Sequence, residues 1–321
     1  MTDALLQIED LSIGYRVPGG TLRALRHVSL TVQAGDVLGI MGESGCGKST
    51  LAAAMINLLG ANARVTSGAV RYRGTDILTL PPEHQRRLRG RHIAMVFQDP
   101  MTAFNPVLTV GAQLMDYQHN SRDAGDRRAR ASAMLEKVGI ADAGRCMTLY
   151  PHELSGGMRQ RAAIAAALMM QPDVLIADEP TTALDVTMEA QVIHLLRALQ
   201  QDFQGAIVVV THHLGVISEL CDRVAVMYAG EVVEEGLVDD IFHSPRHPYT
   251  QALIACDPAS LKAGSGPLPT IGGRLPDLRQ PLQGCAFAPR CAQVMEVCRT
   301  SPPPRVALGN GQAALCHRVT A

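Results

Sequence analysis

The stretch Gly42-Glu43-Ser44-Gly45-Cys46-Gly47-Lys48-Ser49-Thr50 decides the fold of this chain. Apolar residues 37–41 precede it and predict a buried strand, and residues 51–56 predict a helix that leaves it. Glycines let backbone N–H groups wrap a phosphate without Cβ clashes, and a helix N-terminus adds its positive dipole end. The pattern G-x-x-x-x-G-K-[ST] between a strand and a helix therefore predicts a nucleotide-binding loop. Lys48 would reach the β- and γ-phosphates and Ser49 would hold Mg²⁺. A Gly-rich turn without a ligand is the alternative, and the flanking strand and helix disfavour it.

A second segment, Val174-Leu175-Ile176-Ala177-Asp178-Glu179, has four apolar residues followed by two acids. It predicts a central parallel strand with carboxylates at its C-terminal edge, where ligands bind in open α/β sheets. Asp178 suits a Mg²⁺ role through water, and Glu179 suits polarisation of the attacking water. An acidic turn after a buried strand is common by itself, but the phosphate loop upstream favours the catalytic interpretation.

Between these two segments lies Leu154-Ser155-Gly156-Gly157-Met158-Arg159-Gln160-Arg161. Ser155 can cap a helix that begins near Gly156, and Gly157 would let the backbone approach a phosphate. Residues 162–170 continue as a run of small, helix-favouring residues. A helix N-terminus that presents serine and glycines is an anion site. The sequence therefore predicts two anion-binding helix starts.

Together these motifs resemble the ATP-binding subunits of ABC transporters, and within them the dipeptide, oligopeptide and nickel importer group. The phrases that match this group are residues 150–153 (Tyr-Pro-His-Glu), residues 178–187 and residues 247–250 (His-Pro-Tyr-Thr). The resemblance covers essentially the whole chain. It implies an α/β fold with a P-loop ABC ATPase core, which has a RecA-like mixed sheet with flanking helices, an antiparallel β part and an inserted helical subdomain. An irregular Cys-rich C-terminal tail would follow.

The resemblance also assigns residues that the motifs alone leave open. Tyr15 matches the aromatic residue that stacks on adenine, although a strand aromatic packed in a core is the alternative. Gln98 matches the loop glutamine that contacts Mg²⁺ and relays to the membrane subunits. Without the resemblance, the sequence would indicate only a glutamine at the end of a strand. His212 matches the switch histidine near the γ-phosphate. One departure follows it: His213 stands where the family usually has Asp, so an acid is replaced by a neutral or cationic ring.

In the family, the serine–glycine helix start faces the nucleotide of an opposing subunit. The resemblance thus assigns Ser155, Gly156 and Gly157 to ATP bound by a partner, and places Asp185 in the loop that crosses the dimer interface. Two chains would sandwich two nucleotides head to tail, drawn together by ATP and released by hydrolysis. The partner would be a second ABC ATPase, for which we prefer a related but different chain over a second copy.

The organisation along the chain agrees with this fold. Residues 1–97 and 166–244 are expected to form the ATP-binding α/β core, residues 98–165 the helical signature subdomain, and residues 245–321 a C-terminal arm with a cysteine cluster. Strand and helix patterns alternate at 174–177, 186–201, 207–210, 214–220 and 223–228, which indicates a parallel sheet with crossover helices. A Pro- and Gly-rich stretch over 257–284 predicts an irregular arm.

Composition bounds the function. The chain has 321 residues, is 47% hydrophobic and carries a formal net charge of −1, so its bulk charge gives no reason to expect nucleic-acid binding. No run approaches the roughly 18 apolar residues that span a bilayer, and the N-terminus shows no secretory signal. We therefore expect a peripheral protein on the cytoplasmic face of the membrane, attached through its partners.

Four of the eight cysteines cluster near the C-terminus: Cys285, Cys291, Cys298 and Cys316. Disulfides are disfavoured in a cytosolic ATPase, and the C-x2-C spacing of zinc knuckles is absent. Four thiolates can hold an iron–sulfur cluster at variable spacing, so spacing alone leaves iron–sulfur, zinc and free thiols open. The resemblance to the tail of peptide-importer ATPases implies a structural [4Fe–4S] cluster, with zinc as the alternative and His317 as a further zinc ligand. The other four, which are scattered, are expected to be small core residues: Cys46, Cys146, Cys221 and Cys256.

The sequence thus predicts the ATP-hydrolysing subunit of an importer that takes up di- or oligopeptides through two membrane permease subunits and an extracytoplasmic binding protein. The same machinery importing nickel or another small solute is the first alternative. A non-transport ABC ATPase of repair or translation is the second, which the single phosphate loop and the lack of heptad runs disfavour.

Overall fold

The computed structural model describes residues 4–118, 123–182, 185–203, 205–257 and 269–320. The strands at residues 37–41, 174–178 and 206–211 are continuous runs of buried residues, as strands that are covered on both faces require. In chain order the strands are β1 (Leu6–Val17), β2 (Gly20–Val32), β3 (Val37–Met41), β4 (Ala63–Tyr72), β5 (Thr75–Asp76), β6 (Ile93–Val96), β7 (Val174–Asp178), β8 (Ala206–Thr211), β9 (Arg223–Tyr228), β10 (Glu231–Leu237), β11 (Arg305–Ala307) and β12 (Ala313–Leu315).

The helices alternate with these strands through the middle of the chain. They are α1 (Lys48–Met55), α2 (Pro82–Leu88), α3 (Val110–Asp116), α4 (Ala124–Lys137), α5 (Ala143–Cys146), α6 (Gly156–Leu168), α7 (Val186–Asp202), α8 (Leu214–Leu220), α9 (Val238–His243), α10 (Pro248–Ala255) and α11 (Glu296–Thr300). Short 3-10 helices occupy Pro100–Ala103, Pro151–Glu153 and Ala288–Arg290. None of the described helices is both long and apolar enough to cross a membrane.

Chain contacts divide the protein into two units. The first unit comprises Met1–Thr79 and Val210–Ala321, and the second comprises Leu80–Val209, so that β8 runs across the boundary. Within each unit the residues make many contacts with one another. The three functional segments expected from the sequence, with boundaries at residues 97/98, 165/166 and 244/245, remain a prediction.

The first unit contains two sets of strands. An antiparallel sheet has the order β2-β1-β4-β5, in which Leu6 lies opposite both Val32 and Tyr72. The other set has the order β11-β12-β10-β9-β3, and only β3 and β9 run parallel in it. Every residue of β3 is buried, as its continuous apolar run predicted. The combination of parallel and antiparallel pairs confirms the mixed α/β core.

The second unit carries the parallel pair β6 and β7, with Ile93 opposite Val174. Between β6 and α6 the described residues form helices, turns and loops but no strand, which agrees with the inserted helical part of the fold class. Helix α4 packs against α3, α5 and α6. Its apolar face is buried through Ala131 and Leu135, and Val138, which caps the helix, is buried as well.

The C-terminal arm is irregular where the structure describes it. Residues 269–284 form no helix or strand, while residues 258–268 of the predicted arm lie outside the described residues. The arm is attached to the first unit by backbone bonding, because Arg23 N–H donates to the Leu278 carbonyl at 3.0 Å. Strands β11 and β12 then extend the sheet next to β10, and this brings the end of the chain onto the first unit.

Candidate nucleotide-binding site

The phosphate loop, residues 42–50, lies between β3 and α1 in the first unit, as predicted. Helix α1 begins at Lys48, whose side chain is only 6% exposed. Its ammonium donates to the Gly42 carbonyl at 2.7 Å and to the Glu43 carbonyl at 3.1 Å. A buried cation held over the loop by carbonyls, with Ser49 and Thr50 in the first turn of α1, is suited to receive the phosphates of a nucleotide.

Two glycines of this loop are required by their geometry. Gly42 has φ +152°, and a Cβ there would lie 2.2 Å from the Met227 carbonyl oxygen. Gly47 has φ +110°, and a Cβ there would lie 2.6 Å from the Ala24 carbonyl oxygen. Both are left-handed or strained conformations that L-residues rarely adopt. The close approach of backbone to backbone therefore explains the sequence pattern.

The predicted acids lie at the end of β7 in the second unit. Asp178 is the buried last residue of the strand, and Glu179 follows it with a left-handed backbone, φ 47°. The Glu179 carboxylate accepts hydrogen bonds from Gln98 Nε2 at 3.2 Å and from Thr182 Oγ1 at 2.7 Å. The structure thus brings the predicted glutamine and the predicted catalytic carboxylate into contact. An oriented carboxylate beside an amide is suited to hold and polarise a water molecule.

Both candidate switch histidines follow β8 in the first unit. His212 and His213 are exposed, and their ring centroids are 4.4 Å apart. His213 is the N-cap residue of α8 but makes no side-chain capping bond; its N–H instead donates to Thr211 Oγ1 at 3.0 Å. The residue that departs from the family pattern therefore occupies a position where an Asp would cap the helix.

The predicted signature helix is α6, and Ser155 caps it as expected. Its Oγ accepts the Met158 N–H at 3.3 Å. Gly156 is exposed, with nothing within 4 Å of a built Cβ, whereas Gly157 is buried and a Cβ there would lie 1.7 Å from Met188 Cε. Gly157 thus has a packing role against α7 that the sequence did not suggest.

The remaining predicted nucleotide residues have structural partners of their own. Asp185 caps α7 by accepting the Met188 N–H at 2.9 Å, and residues 183–184 of the same predicted loop lie outside the described residues. Tyr15 lies half-buried on β1, opposite Leu22 and Ala63. Ser44 and Gly45 are exposed on the loop, and Cys46 is buried, as expected for a small core residue.

The four clustered cysteines line one small cavity of the first unit, together with His247, Phe287 and His317. Burial raises the pKa of the Cys285 thiol to about 11, and burial likewise raises the pKa values of Cys291 and Cys316. The described cysteines are all free thiols, and the part of the chain that the structure describes contains no group of three or more His, Cys, Asp or Glu side chains arranged to hold a metal ion. The His317 Nε2 donates to the Ser301 carbonyl at 3.0 Å, so only its Nδ1 is left for the zinc role that the sequence suggested.

Sequence reasoning missed two side chains that reach the phosphate loop from the C-terminal half. The Tyr249 hydroxyl accepts the Glu43 N–H at 2.9 Å, and Arg290 pairs with the Glu43 carboxylate. No local pattern marks either contact, because 206 and 247 positions separate the partners. Arg290 lies directly before Cys291, and this neighbouring motif is the one signal that pointed to its segment.

A glycine-built phosphate loop at a helix start, acids at a parallel strand end and a helical segment between them define a P-loop ATPase. Residues 25–182 match the family "ABC transporter". Residues 233–298 match the family "Oligopeptide/dipeptide transporter, C-terminal region". The chain belongs to the ATP-binding subunits of ABC transporters, and it binds and hydrolyses ATP.

Curated relatives match over nearly the whole chain. A probable peptide ABC transporter ATP-binding protein, y4tR of Sinorhizobium fredii, is 45% identical over 98% of this chain and 95% of that protein. The oligopeptide transport ATP-binding protein OppD of Escherichia coli is 44% identical over 94% of this chain and 89% of its own length. The dipeptide transport ATP-binding protein DppD of Bacillus subtilis is 42% identical over 98% of this chain and 94% of its own length.

Solved structures agree on the fold. The dimeric structure of MJ0796, a bacterial ABC transporter cassette, has a TM-score of 0.65 and 30% identity, and covers 73% of this chain and 98% of that chain. A further dimeric structure of this cassette is a post-hydrolysis state bound to ADP and Pi, with a TM-score of 0.65 and 29% identity over the same shares. The uncovered part of the present chain is consistent with an addition to the common cassette.

Proposed function

We propose that this chain hydrolyses ATP to drive the uptake of di- and oligopeptides across the cytoplasmic membrane. The observation that carries this proposal is the C-terminal region, which matches the oligopeptide/dipeptide transporter description over residues 233–298, beyond the common cassette. The relatives named for peptide transport match through the same region. Import of nickel or another small solute by the same machinery is the second candidate, because an ATPase subunit does not touch the cargo.

Within the chain's own nucleotide site, we assign roles by the chemistry of each residue. The loop glycines and residues Ser44–Thr50 would bind the phosphates, with Lys48 at the β- and γ-phosphates. Ser49, Gln98 and Asp178 would hold Mg²⁺, which supplies charge neutralisation at the phosphates. Glu179 would accept the proton of the attacking water. The hydrogen bonds from Gln98 and Thr182 support this role because they orient its carboxylate.

Two further assignments complete the same site. Tyr15 would stack on the adenine ring, and the half-buried position of Tyr15 on β1 leaves part of the ring accessible. His212 would contact the γ-phosphate region as the switch residue. Its place directly after β8 supports this choice over His213, which occupies the cap of α8.

The signature helix would complete the nucleotide site of a second ATPase subunit, a related but different chain. Ser155 and Gly156 support this role because both are exposed at the start of α6, and a methyl group at Gly156 would meet nothing within 4 Å. Asp185 is exposed and would belong to the same surface, whereas Gly157 is buried and would contribute through the backbone at the helix start. The two ATPases would act on two membrane permease subunits at the cytoplasmic face, supplied by an extracytoplasmic binding protein.

Exposed apolar side chains in the segment after Gln98 support a contact with those permeases. Val107 is 74% exposed, and Met101 and Leu108 are also among the exposed large hydrophobic residues. Water-exposed apolar groups of this size mark interaction surfaces when they cluster. We assign this segment to the permease interface.

For the four cysteines we propose a [4Fe–4S] cluster with a structural role. This proposal is supported by the common cavity, which the four cysteines line together with His247 and Phe287. The four thiols would release their protons to solvent when the metal binds, and the metal would have to overcome the raised pKa values of Cys285, Cys291 and Cys316. A single zinc ion is the alternative.

Transport in cells tests the proposed function. In cells that carry Glu179→Gln, we expect uptake of a radiolabelled dipeptide to stop, while ATP binding by the purified chain is unchanged. ATP turnover at this chain's own nucleotide should fall by more than about 100-fold, since proton transfer by a positioned side chain contributes at least that much.

Glu219→Gln is the matched control, because Glu219 is an exposed acid on α8 away from the proposed roles. Loss of nickel uptake with normal peptide uptake would establish the second candidate instead. Normal turnover in Glu179→Gln would remove the catalytic assignment.

A further inference from the structure

The C-terminal segment reaches the phosphate loop through one arginine. Arg290 Nη1 lies 2.6 Å from Glu43 Oε2, and its Nη2 lies 2.9 Å from Glu43 Oε1. Two parallel N–H···O bonds of this kind form a bidentate pair, the strongest geometry between these groups. The Arg290 side chain is only 4% exposed and that of Glu43 is 27% exposed, so solvent screens this pair weakly.

The guanidinium of Arg290 is itself held in place. Its Nε donates to the Gly272 carbonyl at 2.9 Å, and its Nη2 also donates to the Ile271 carbonyl at 3.1 Å. The group lies 5.7 Å from the ring centroid of Tyr228 and 6.0 Å from that of Phe287, within cation–π range. Because these partners fix its plane, Arg290 can fix the position of the carboxylate that it binds.

Glu43 passes this constraint to the residue that binds phosphate. Its carbonyl accepts the Lys48 ammonium at 3.1 Å and the Cys46 N–H at 3.3 Å, and its N–H donates to the Tyr249 hydroxyl. The backbone of Glu43 is therefore part of the cradle around Lys48, while its side chain is anchored to the C-terminal segment.

The charge of Glu43 gives the pair a second effect. A carboxylate within the phosphate loop would repel the triphosphate, since like charges in a poorly screened site disfavour each other. Arg290 neutralises this carboxylate. Loss of Arg290 would remove this anchor of the loop and leave an uncompensated negative charge.

We propose that Arg290 is a positioning residue of the nucleotide site, which acts through Glu43 and sets the affinity for ATP. The C-terminal segment is thereby part of the ATP-binding machinery, in addition to any role in holding a metal cluster. This inference uses only the contacts of Arg290 and Glu43, and it stands whichever cargo the transporter carries.

The test measures ATP affinity and turnover in the full-length chain within its assembly. Arg290→Gln is expected to raise the Kd and KM for ATP about tenfold, equivalent to about 1.4 kcal/mol, with kcat changed less than about twofold. Arg290→Lys keeps the charge but loses the bidentate geometry. Its Kd and KM for ATP should lie between those of the wild type and those of Arg290→Gln. It also serves where Arg290→Gln fails to fold.

A double-mutant cycle separates positioning from general destabilisation. Because Glu43→Gln removes the repulsive charge, the double variant Arg290→Gln/Glu43→Gln should bind ATP better than Arg290→Gln alone. Additive losses would overturn the proposal, as would wild-type ATP affinity in both Arg290 variants.

The matched control is Arg305→Gln. Arg305 also forms an ion pair between the C-terminal segment and the core, with Glu235 on β10, but neither residue belongs to the phosphate loop. We expect this variant to lose thermal stability without a change in ATP affinity. An equal rise of KM in Arg305→Gln would show that the C-terminal segment acts only through stability, and would overturn the proposal.

Discussion

At the scale of single residues, Glu179 and His213 show how local geometry reflects function. Glu179 keeps a left-handed backbone that costs about 1–3 kcal/mol in a non-glycine residue, and two side-chain hydrogen bonds hold its carboxylate there. Such strain is common where a side chain must be aimed at a substrate. His213, in contrast, occupies a helix cap for which its side chain is poorly suited.

The cap position gives a prediction about stability. His213→Asp should raise the free energy of unfolding by about 1 kcal/mol, because the carboxylate can accept an N–H from the first turn of α8 and also favours the helix dipole. Urea denaturation measures the change. His213→Ala is the control and should bring no gain; equal stability of the Asp and Ala variants would show that α8 does not use this cap. ATP turnover should survive in both if His212 is the switch residue.

At the scale of elements, helix α6 combines two functions in adjacent glycines. Its Ser155 cap and Gly156 leave the helix start open, while Gly157 lets the helix approach Met188 in the first turn of α7. One glycine is thus available for a partner, and the next lies close to the Met188 side chain within the second unit.

This difference predicts different effects of the same methyl group. Gly157→Ala places a methyl group against Met188 Cε, the end of a flexible side chain that can rotate away, so the free energy of unfolding should fall by no more than about 1 kcal/mol. Gly156→Ala should leave stability unchanged or slightly higher, since the residue is helical and unobstructed, yet it should reduce ATP turnover at the partner's nucleotide. Chemical denaturation and ATPase assays of the assembly distinguish them. A Gly156→Ala assembly with full turnover would contradict the role of α6 in the partner's site.

At the scale of the whole molecule, the C-terminal segment returns to the first unit at several points. Strands β11 and β12 extend the sheet beside β10, Leu278 bonds to β2, and the 3-10 helix Ala288–Arg290 brings Arg290 to the phosphate loop. The cysteine cavity lies in the same segment. A metal bound in this cavity would therefore stabilise the unit that carries the phosphate loop.

Metal analysis of the protein purified without oxygen tests the cluster. We expect about four iron atoms per chain, as a full four-thiolate cluster requires, and a lower melting temperature after the iron is removed. Cys298→Ser should lose most of the iron. Cys256→Ser is the matched control, because Cys256 is a half-exposed thiol that does not line the cavity. Zinc without iron, or no metal in anaerobic protein, would exclude the cluster.

Much of the fold and the ATP site could be predicted from local patterns. The strand and helix around residues 42–50, the acids after β7 and the Ser155 cap all depend on a few consecutive residues, whose backbone angles and nearest hydrogen bonds are set by their own chemistry. The resemblance to a family then indicated the class of protein, an ABC transporter ATPase, because these patterns occur together in a fixed order.

The contacts that join distant segments could not be predicted in this way. The sequence by itself determined the phosphate loop, the acidic strand end and the grouping of four cysteines. Only the tertiary structure decided that Arg290 pairs with Glu43, that Gly157 packs on Met188 and that the cysteines line one cavity. The physical reason is that a local motif needs only neighbouring residues. The pairing of residues 247 positions apart depends on how every element between them packs.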